Sequence, residues 1–311
     1  MKKINFLYVA LCLSIQTLEA QENERTVDLQ FDWPDGLALS VERSFTRKTN
    51  IGPKNENILS KSEFTWTLKK SGDENRIFFS GFKETSPESG PKTKDPVVQL
   101  EYISRKVEPI LPTIVVDANA QPIRLDQLDE VVSHVENKVK SIDGLDDQMF
   151  QQFVSILLNE QAFQVRALED WNRMIQVWSG MKGAEVGGSS QTSSVTGNAV
   201  GKPIENLFIY RVDEGPTSDT ITLTVIQKPK KNQVKLILDK MLGGDVYKEL
   251  QLPKDSELFF ENRFTTICSP STLIPISYVK KKTWGAYEGN NRIFHGRSDT
   301  WSYTFKTINK N

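Results

Sequence analysis

The sequence predicts an α+β fold, a curved and mostly antiparallel β-sheet with a central helical insertion packed on one face. Three observations lead there. Apolar and polar residues alternate with a period of two near both ends of the 311-residue chain. Between those regions runs an apolar stripe at steps of three and four, the helical spacing. A helix carrying such a stripe must bury it, and the sheet is the surface available.

In chain order, Val27, Leu29 and Phe31 alternate with polar residues, and Leu37, Leu39 and Val41 resume the pattern after Trp33-Pro34-Asp35-Gly36. This predicts a hairpin, because Pro pre-sets one turn dihedral and Gly accepts a positive one. Phe64, Trp66 and Leu68 form the next strand, and Ser71-Gly72-Asp73 turns the chain into Ile77–Phe82. Ser86–Asp95 reads as a loop, Val97–Val107 and Thr113–Val116 as strands, and Asp117–Ala120 as a turn. Leu128, Val131, Val132, Val135 and Val139 then share one helix face. Asp143-Gly144 breaks that helix, and Asp146 or Asp147 caps the next, which includes Phe150, Phe153, Val154, Leu157 and Leu158. Leu168, Trp171, Ile175 and Trp178 continue the period.

Gly183–Gly201 is rich in Gly, Ser and Thr, with too little apolar surface to offset its ordering entropy. A flexible segment is expected there. Strands return at Leu207–Val212, Ile221–Val225 and Val234–Leu238, with Lys228–Asn232 as a hairpin loop. Leu258–Ile267, Ile276–Trp284 and Trp301–Phe305 complete the set. The expected organisation is a signal peptide at 1–20 and a single β-rich domain at 21–311. That domain carries the helical insertion at 125–180 and the flexible segment at 183–201.

Met1–Ala20 has a basic start at Lys2 and Lys3, an uncharged apolar run from Ile4 to Ile15, and a small residue before Gln21. That is the pattern of a cleaved secretory signal, too short to span a membrane. A lipidated Cys12 is disfavoured because Leu11 stands where a small residue is needed. Removing Lys2, Lys3 and Glu19 takes the net charge from −1 to −2. Such balance gives no global field for nucleic acid. Cys268 is then the sole cysteine, so no intramolecular disulfide forms. The sequence has no Asn-x-Ser/Thr sequon and no transmembrane segment in the mature chain, and an exported bacterial protein, periplasmic or secreted, is expected.

Catalytic and metal motifs fail on their details. Gly197–Lys202 has three residues between its glycines where a phosphate loop has four, and Pro203 follows the lysine. Asp117–Gln121 resembles the start of a calcium loop, but Pro122 replaces its glycine and Leu128 its bidentate glutamate. Cys268 and His295, with Asp299, could be cast as a nucleophile pair, yet Cys268 ends a strand pattern and reads as a buried thiol. His134 falls on the polar side of its helix. Lys228–Lys231 and Lys280–Lys282 read as solvated guards of sheet edges. No catalytic residue, metal or cofactor is expected, although a carbohydrate-active enzyme needs only two carboxylates.

The aromatic residues are the most informative. Phe64, Trp66, Trp171, Trp178, Trp284, Trp301 and Tyr303 all fall on strand or helix faces. They suggest an apolar cleft between sheet and helices. Trp66, Phe163, Trp171 and Trp178 are the expected ligand-binding residues. A strand-rich half, a helical lid, further strands and the inter-strand turn Ser269-Pro270-Ser271-Thr272-Leu273-Ile274-Pro275 resemble the periplasmic half-barrel carriers of lipids and lipoproteins. The chain is longer than such carriers, and no functional residue carries over. The resemblance implies a half-barrel-like sheet and a lipid or acyl-chain partner. The expected function is therefore a non-enzymatic exported envelope protein binding an apolar ligand. The alternative is an envelope or surface protein-interaction module, with a protein partner and no small-molecule ligand.

Overall fold

A computed structural model of the chain describes residues 25–50, 57–86, 96–141, 150–151, 160–187, 190–199, 202–288 and 293–308. The elements begin with β1 (Thr26–Val27), β2 (Ala38–Asn50), β3 (Asn57–Ser71), β4 (Glu74–Ser86), α1 (Pro96–Val107), β5 (Thr113–Val116) and β6 (Pro122–Asp126). Then come α2 (Leu128–Lys140), α3 (Glu160–Trp171) with a π-helical turn at Asn172–Gln176, β7 (Ala184–Glu185) and β8 (Ser190–Ala199). The remainder is β9 (Lys202–Glu214), β10 (Ile221–Pro229), α4 (Lys231–Leu242), α5 (Val246–Glu249), β11 (Glu257–Cys268), β12 (Pro275–Glu288) and β13 (Ile293–Thr307).

Among the described residues, eleven strands form one sheet in the order β6-β5-β4-β3-β2-β13-β12-β11-β10-β9-β8. Every neighbouring pair is antiparallel. The order is two meanders, one from each end of the chain, joined where β2 meets β13 from Gly296↔Asn50 to Thr307↔Leu39. Leu39, Val41 and Phe45 of β2 and Trp301, Tyr303 and Phe305 of β13 are buried on one face. A one-residue slip of either strand would turn its buried row outward, which fixes the register of the seam. The fold is the α+β, curved, half-barrel-like sheet with helices on one face that the sequence predicts.

Several local expectations are corrected. Val97–Val107 lies in helix α1, not a strand. Ile103 and Val107, four apart, pack with Val135 and Val139 of α2, and that packing overrides the β-propensity of Val and Ile. Val234–Leu238 lies in α4, where Val234, Ile237 and Leu238 are buried and Gly243 at φ 72° ends the helix. Lys228–Asn232 is consequently no hairpin loop; it joins β10 to α4. The expected flexible segment contains β8, which pairs with β9 from Ser190↔Arg211 to Ala199↔Lys202. A ladder of backbone hydrogen bonds orders a stretch that apolar burial alone would not. Lys280–Lys282 lies in β12, an interior strand flanked by β11 and β13, and guards no edge.

The expected hairpin at Val27–Val41 is also different. Its turn exists, with Leu37 N donating to Pro34 O at 3.1 Å and Gly36 at φ 73°. The first arm, however, is a strap. Leu29 N donates to Met181 O at 2.9 Å, and Gln30 N to Pro270 O at 3.2 Å. Asp117–Ala120 is the expected turn, its Asp117 Oδ1 accepting from Asn119 N and Gln121 N at 2.8 Å each. Ser269–Pro275 links β11 to β12 as expected. Met1–Ala20, Asp143, Gly144, Asp146, Asp147, Phe153, Val154, Leu157 and Leu158 lie outside the described residues.

The main core joins the sheet's inner face, the strap and the end of α3. Leu29, Trp33, Trp171, Met174, Ile175 and Trp178 pack there against strand residues. α1 and α2 share a second cluster, and α4 and α5 bury Trp284 and Ala286 in a third.

Candidate functional site: an ionic inner face beside an aromatic-walled groove

Alternation along three adjacent strands lays a charged band across the inner face. Register sets Arg43 opposite Tyr303 and Arg47 opposite Asp299. It also sets Tyr278 opposite Tyr303 and Lys280 opposite Trp301. Carboxylates from the helical side meet this band. Asp170, near the end of α3, accepts from Tyr278 Oη at 2.9 Å and Tyr303 Oη at 3.1 Å, with Lys280 Nζ at 3.8 Å. Lys280 also pairs with Glu169. Glu108, just after α1, receives Arg43 Nη2 and Trp301 Nε1 on the same oxygen, Oε2, the latter at 2.9 Å. Arg47 reaches Asp299 and Glu101 at 2.8 Å each.

Burial raises the carboxyl of Asp170, and the Glu169 and Glu108 charges add to that despite Lys280. Burial opposes the Glu169 charge too, but the Lys280 ammonium outweighs it and holds this carboxyl below its usual range. Lys280 is desolvated, yet Asp170 and Glu169 push it well above the ordinary lysine value. The band is thus a buried, largely paired network. Breaking one partner of such a pair costs about 3–5 kcal/mol.

Beside the band lies a groove of about 620 Å³. Phe64, Phe79, Phe82, Pro109, Ile110, Leu111 and Val131 line it, with Thr113, Gln127, Glu130 and His134 among its polar residues. Its shape comes from a bulge in β4. Thr65 faces Ser80 and Glu63 faces Lys83, so Phe64 alone opposes Gly81 and Phe82. Gly81 sits at φ 67°, a conformation glycine adopts without a Cβ penalty. The extra residue shifts the alternation, and Phe79 and Phe82, of opposite parity, line the same groove. Further in, a cavity of about 30 Å³ shares Phe64, Phe79, Pro109 and Leu111 with the groove.

The four sequence-predicted residues divide. Trp66 and Trp171 both line the small cavity, and Trp171 Nε1 donates to Ala120 O at 3.0 Å. Trp178 stands apart, 6.1 Å from the Tyr210 ring and donating to Arg173 O at 3.0 Å. Phe163 is in α3, and its side chain lies outside the described residues. The space between Trp66 and Trp171 is filled by the strap. The Trp33 ring is 6.5 Å from Trp66 and 5.8 Å from Trp171, and Phe31 is 5.7 Å from Trp171. What remains has room for a water molecule, not for a hydrocarbon chain.

Sequence reasoning missed Phe79, Phe82, Glu108, Asp170 and Lys280. An isolated glycine in a strand pattern signals a bulge, so Gly81 was the available clue. Cys268 and His295 are not brought together. His295 pairs with Ala286, which pairs with Leu258, ten residues from Cys268 along β11; that is roughly 30 Å. Burial pushes the Cys268 thiol up to about 12, so it is no nucleophile near neutral pH.

The sequence matches no protein-family model and no curated protein. Among solved structures the fold is similar to one described as lipid–protein interactions in lipovitellin, with a TM-score of 0.41 and 8% identity. The match covers 89% of this chain, which spans 26% of that chain's length. A likeness at that score leaves the functional reading to the site itself. No helix among the described residues is long and apolar enough to cross a membrane.

Proposed function

We propose that this is a non-enzymatic, exported bacterial envelope protein that holds an apolar ligand or acyl chain in the groove beside β3 and β4. One observation carries the reading: a concavity of about 620 Å³ with Phe64, Phe79 and Phe82 in its walls and polar groups among the rest. Small-molecule sites run from roughly 300 to 1,000 Å³ with aromatic walls, and this groove adds polar lining in near-equal measure. Export is supported by the charge and apolar pattern of Met1–Ala20.

Trp66 stands 5.4 Å from Phe79 and reports on the groove. A brominated alkyl detergent titrated into the mature protein is expected to quench tryptophan emission and raise the melting temperature. Trp66→Phe should remove most of the quenching, and Phe79→Asp should abolish binding. No quenching and no thermal shift across chain lengths would overturn the reading. For export, fractionation of a bacterial host should recover a chain beginning at Gln21 outside the cytoplasm. An unprocessed cytoplasmic chain would contradict it.

The interaction-module reading is favoured by a different feature. Edge strand β8 contains neither charge nor proline, whereas β6 at the other edge carries Pro122, Arg124 and Asp126. Charges and prolines block strand addition. If β8 recruits a protein, Ser194→Lys should abolish that capture and leave detergent binding intact.

A further inference from the structure

We infer that the cavity beside the groove takes a neutral hydroxyl group, so the ligand is a long-chain, alcohol-type amphiphile with an uncharged head. This rests on the groove being the ligand site. The groove and the cavity share Phe64, Phe79, Pro109 and Leu111, so they adjoin, with the chain assigned to one and its terminal group to the other. A cavity of about 30 Å³ admits one hydroxyl and excludes a phosphate or a sugar.

The lining offers one unsatisfied donor and a spare acceptor. Trp66 Nε1, a buried donor that cannot accept, has no hydrogen-bond partner. Glu108 Oε2 receives both Arg43 and Trp301, whereas its Oε1 accepts nothing among the described residues. Asp170 is occupied on both oxygens by tyrosine hydroxyls. A hydroxyl accepts from an indole N–H and donates to a carboxylate at the same time. A carboxylate head only accepts, and it would bring a negative charge against Glu108, Glu169 and Asp170. An ammonium head only donates. It would leave the indole N–H unpaired and set a second cation near Lys280 and Arg43, which already hold the carboxylates there. Leaving a buried donor unpaired is the larger discriminator, as in sites built to read a substrate hydroxyl.

The test uses the mature protein and a ten-carbon series: decan-1-ol, decyl methyl ether, decanoate and decylammonium. Titration is expected to show decan-1-ol binding about tenfold tighter than each of the other three. The ether accepts a hydrogen bond but donates none, so it isolates the contact to Glu108. The Trp66 indole N–H resonance should shift with decan-1-ol and stay in place with decylammonium. In Trp66→Phe the advantage of the alcohol over decylammonium should shrink, while its advantage over the ether, which rests on Glu108, should remain. Equal or tighter binding of the ether, decanoate or decylammonium would overturn the hydroxyl assignment and leave the groove standing. Failure of all four, together with the brominated probe, would remove the groove as a ligand site as well.

Discussion

Tyr278, Tyr303 and Lys280 surround Asp170, and all three hold their protons more tightly in the folded protein than outside it. For the tyrosines the cause is burial followed by the Asp170 charge. For Lys280 the neighbouring carboxylates overcome desolvation. The unfolded chain releases these protons near pH 10 to 10.5, while the native state keeps them. The contribution of these three groups is therefore full below about pH 10 and falls as pH rises, by about 1.4 kcal/mol per pH unit for each proton. Cys268 contributes in the same sense from its unfolded value up to about 12. Urea melts between pH 9 and 11.5 should show this decline, and Tyr278→Phe with Tyr303→Phe should remove two protons from the slope. Stability that stays level through pH 11 would contradict the assignment. A second residue-scale prediction concerns Gly285 and Gly296, which face each other across β12 and β13. A Cβ on Gly285 would lie 2.1 Å from His295 O, backbone that cannot turn aside. Gly285→Ala should cost about 3 kcal/mol by overpacking, and Gly72→Ala, with nothing within 4 Å, only about 1 kcal/mol. Chemical denaturation of the two variants compares them directly. Neither the Asp170 cluster nor the glycine pair was legible in the sequence, because each depends on which strands become neighbours.

At the scale of elements, legibility followed burial. Strands with one buried face, such as β12 and β13, announced themselves by alternation. α1 and α4 did not, because short Val- and Leu-rich helices contain accidental period-two runs. In α4 the alternating Val234, Leu236 and Leu238 hid the set Val234, Ile237 and Leu238, whose steps of three and four fall on one helix face. Helix α1 also differs in how it meets the sheet. Its apolar residues Ile103 and Val107 belong to the cluster shared with α2. Its link to β2 and β13 is ionic, through Glu101 to Arg47 and Arg297. Arg47 is the pivot, since it also neutralises Asp299, whose carboxyl burial raises. Arg47→Met takes that partner from Asp299, which keeps Arg297 at 2.6 Å, and should cost about 2–3 kcal/mol. Adding Asp299→Leu should recover part of the loss, since it removes the buried carboxyl but also takes a partner from Arg297. Thermal and urea melts of both variants test this. A double variant as unstable as the single one would mean that Arg47 acts through packing rather than charge.

For the molecule as a whole, the decisive joint is the one between its two ends. Alternation identifies strands but says nothing about their order, so the pairing of β2 with β13 had no signal in the sequence. That pairing joins Val41 to Phe305 and Phe45 to Trp301 across most of the chain. The strap adds to it, because Leu29 and Trp33 come from the N-terminus yet complete the core beside Trp171 and Trp178. Neither meander can close the main core alone, and contacts of such long range form slowly because loop-closure entropy precedes their reward. A chain ending at Glu288 keeps both meanders except β13. It exposes Val41 and Phe45 on one side and Tyr278 on the other, and it frees two sheet edges at once. The expected outcome is loss of the cooperative urea transition, with strong binding of a hydrophobic dye and retained β-type circular dichroism. A truncated chain that melts in one sharp step would show that each meander is its own folding unit. In that case the seam would be a contact between domains rather than the centre of one.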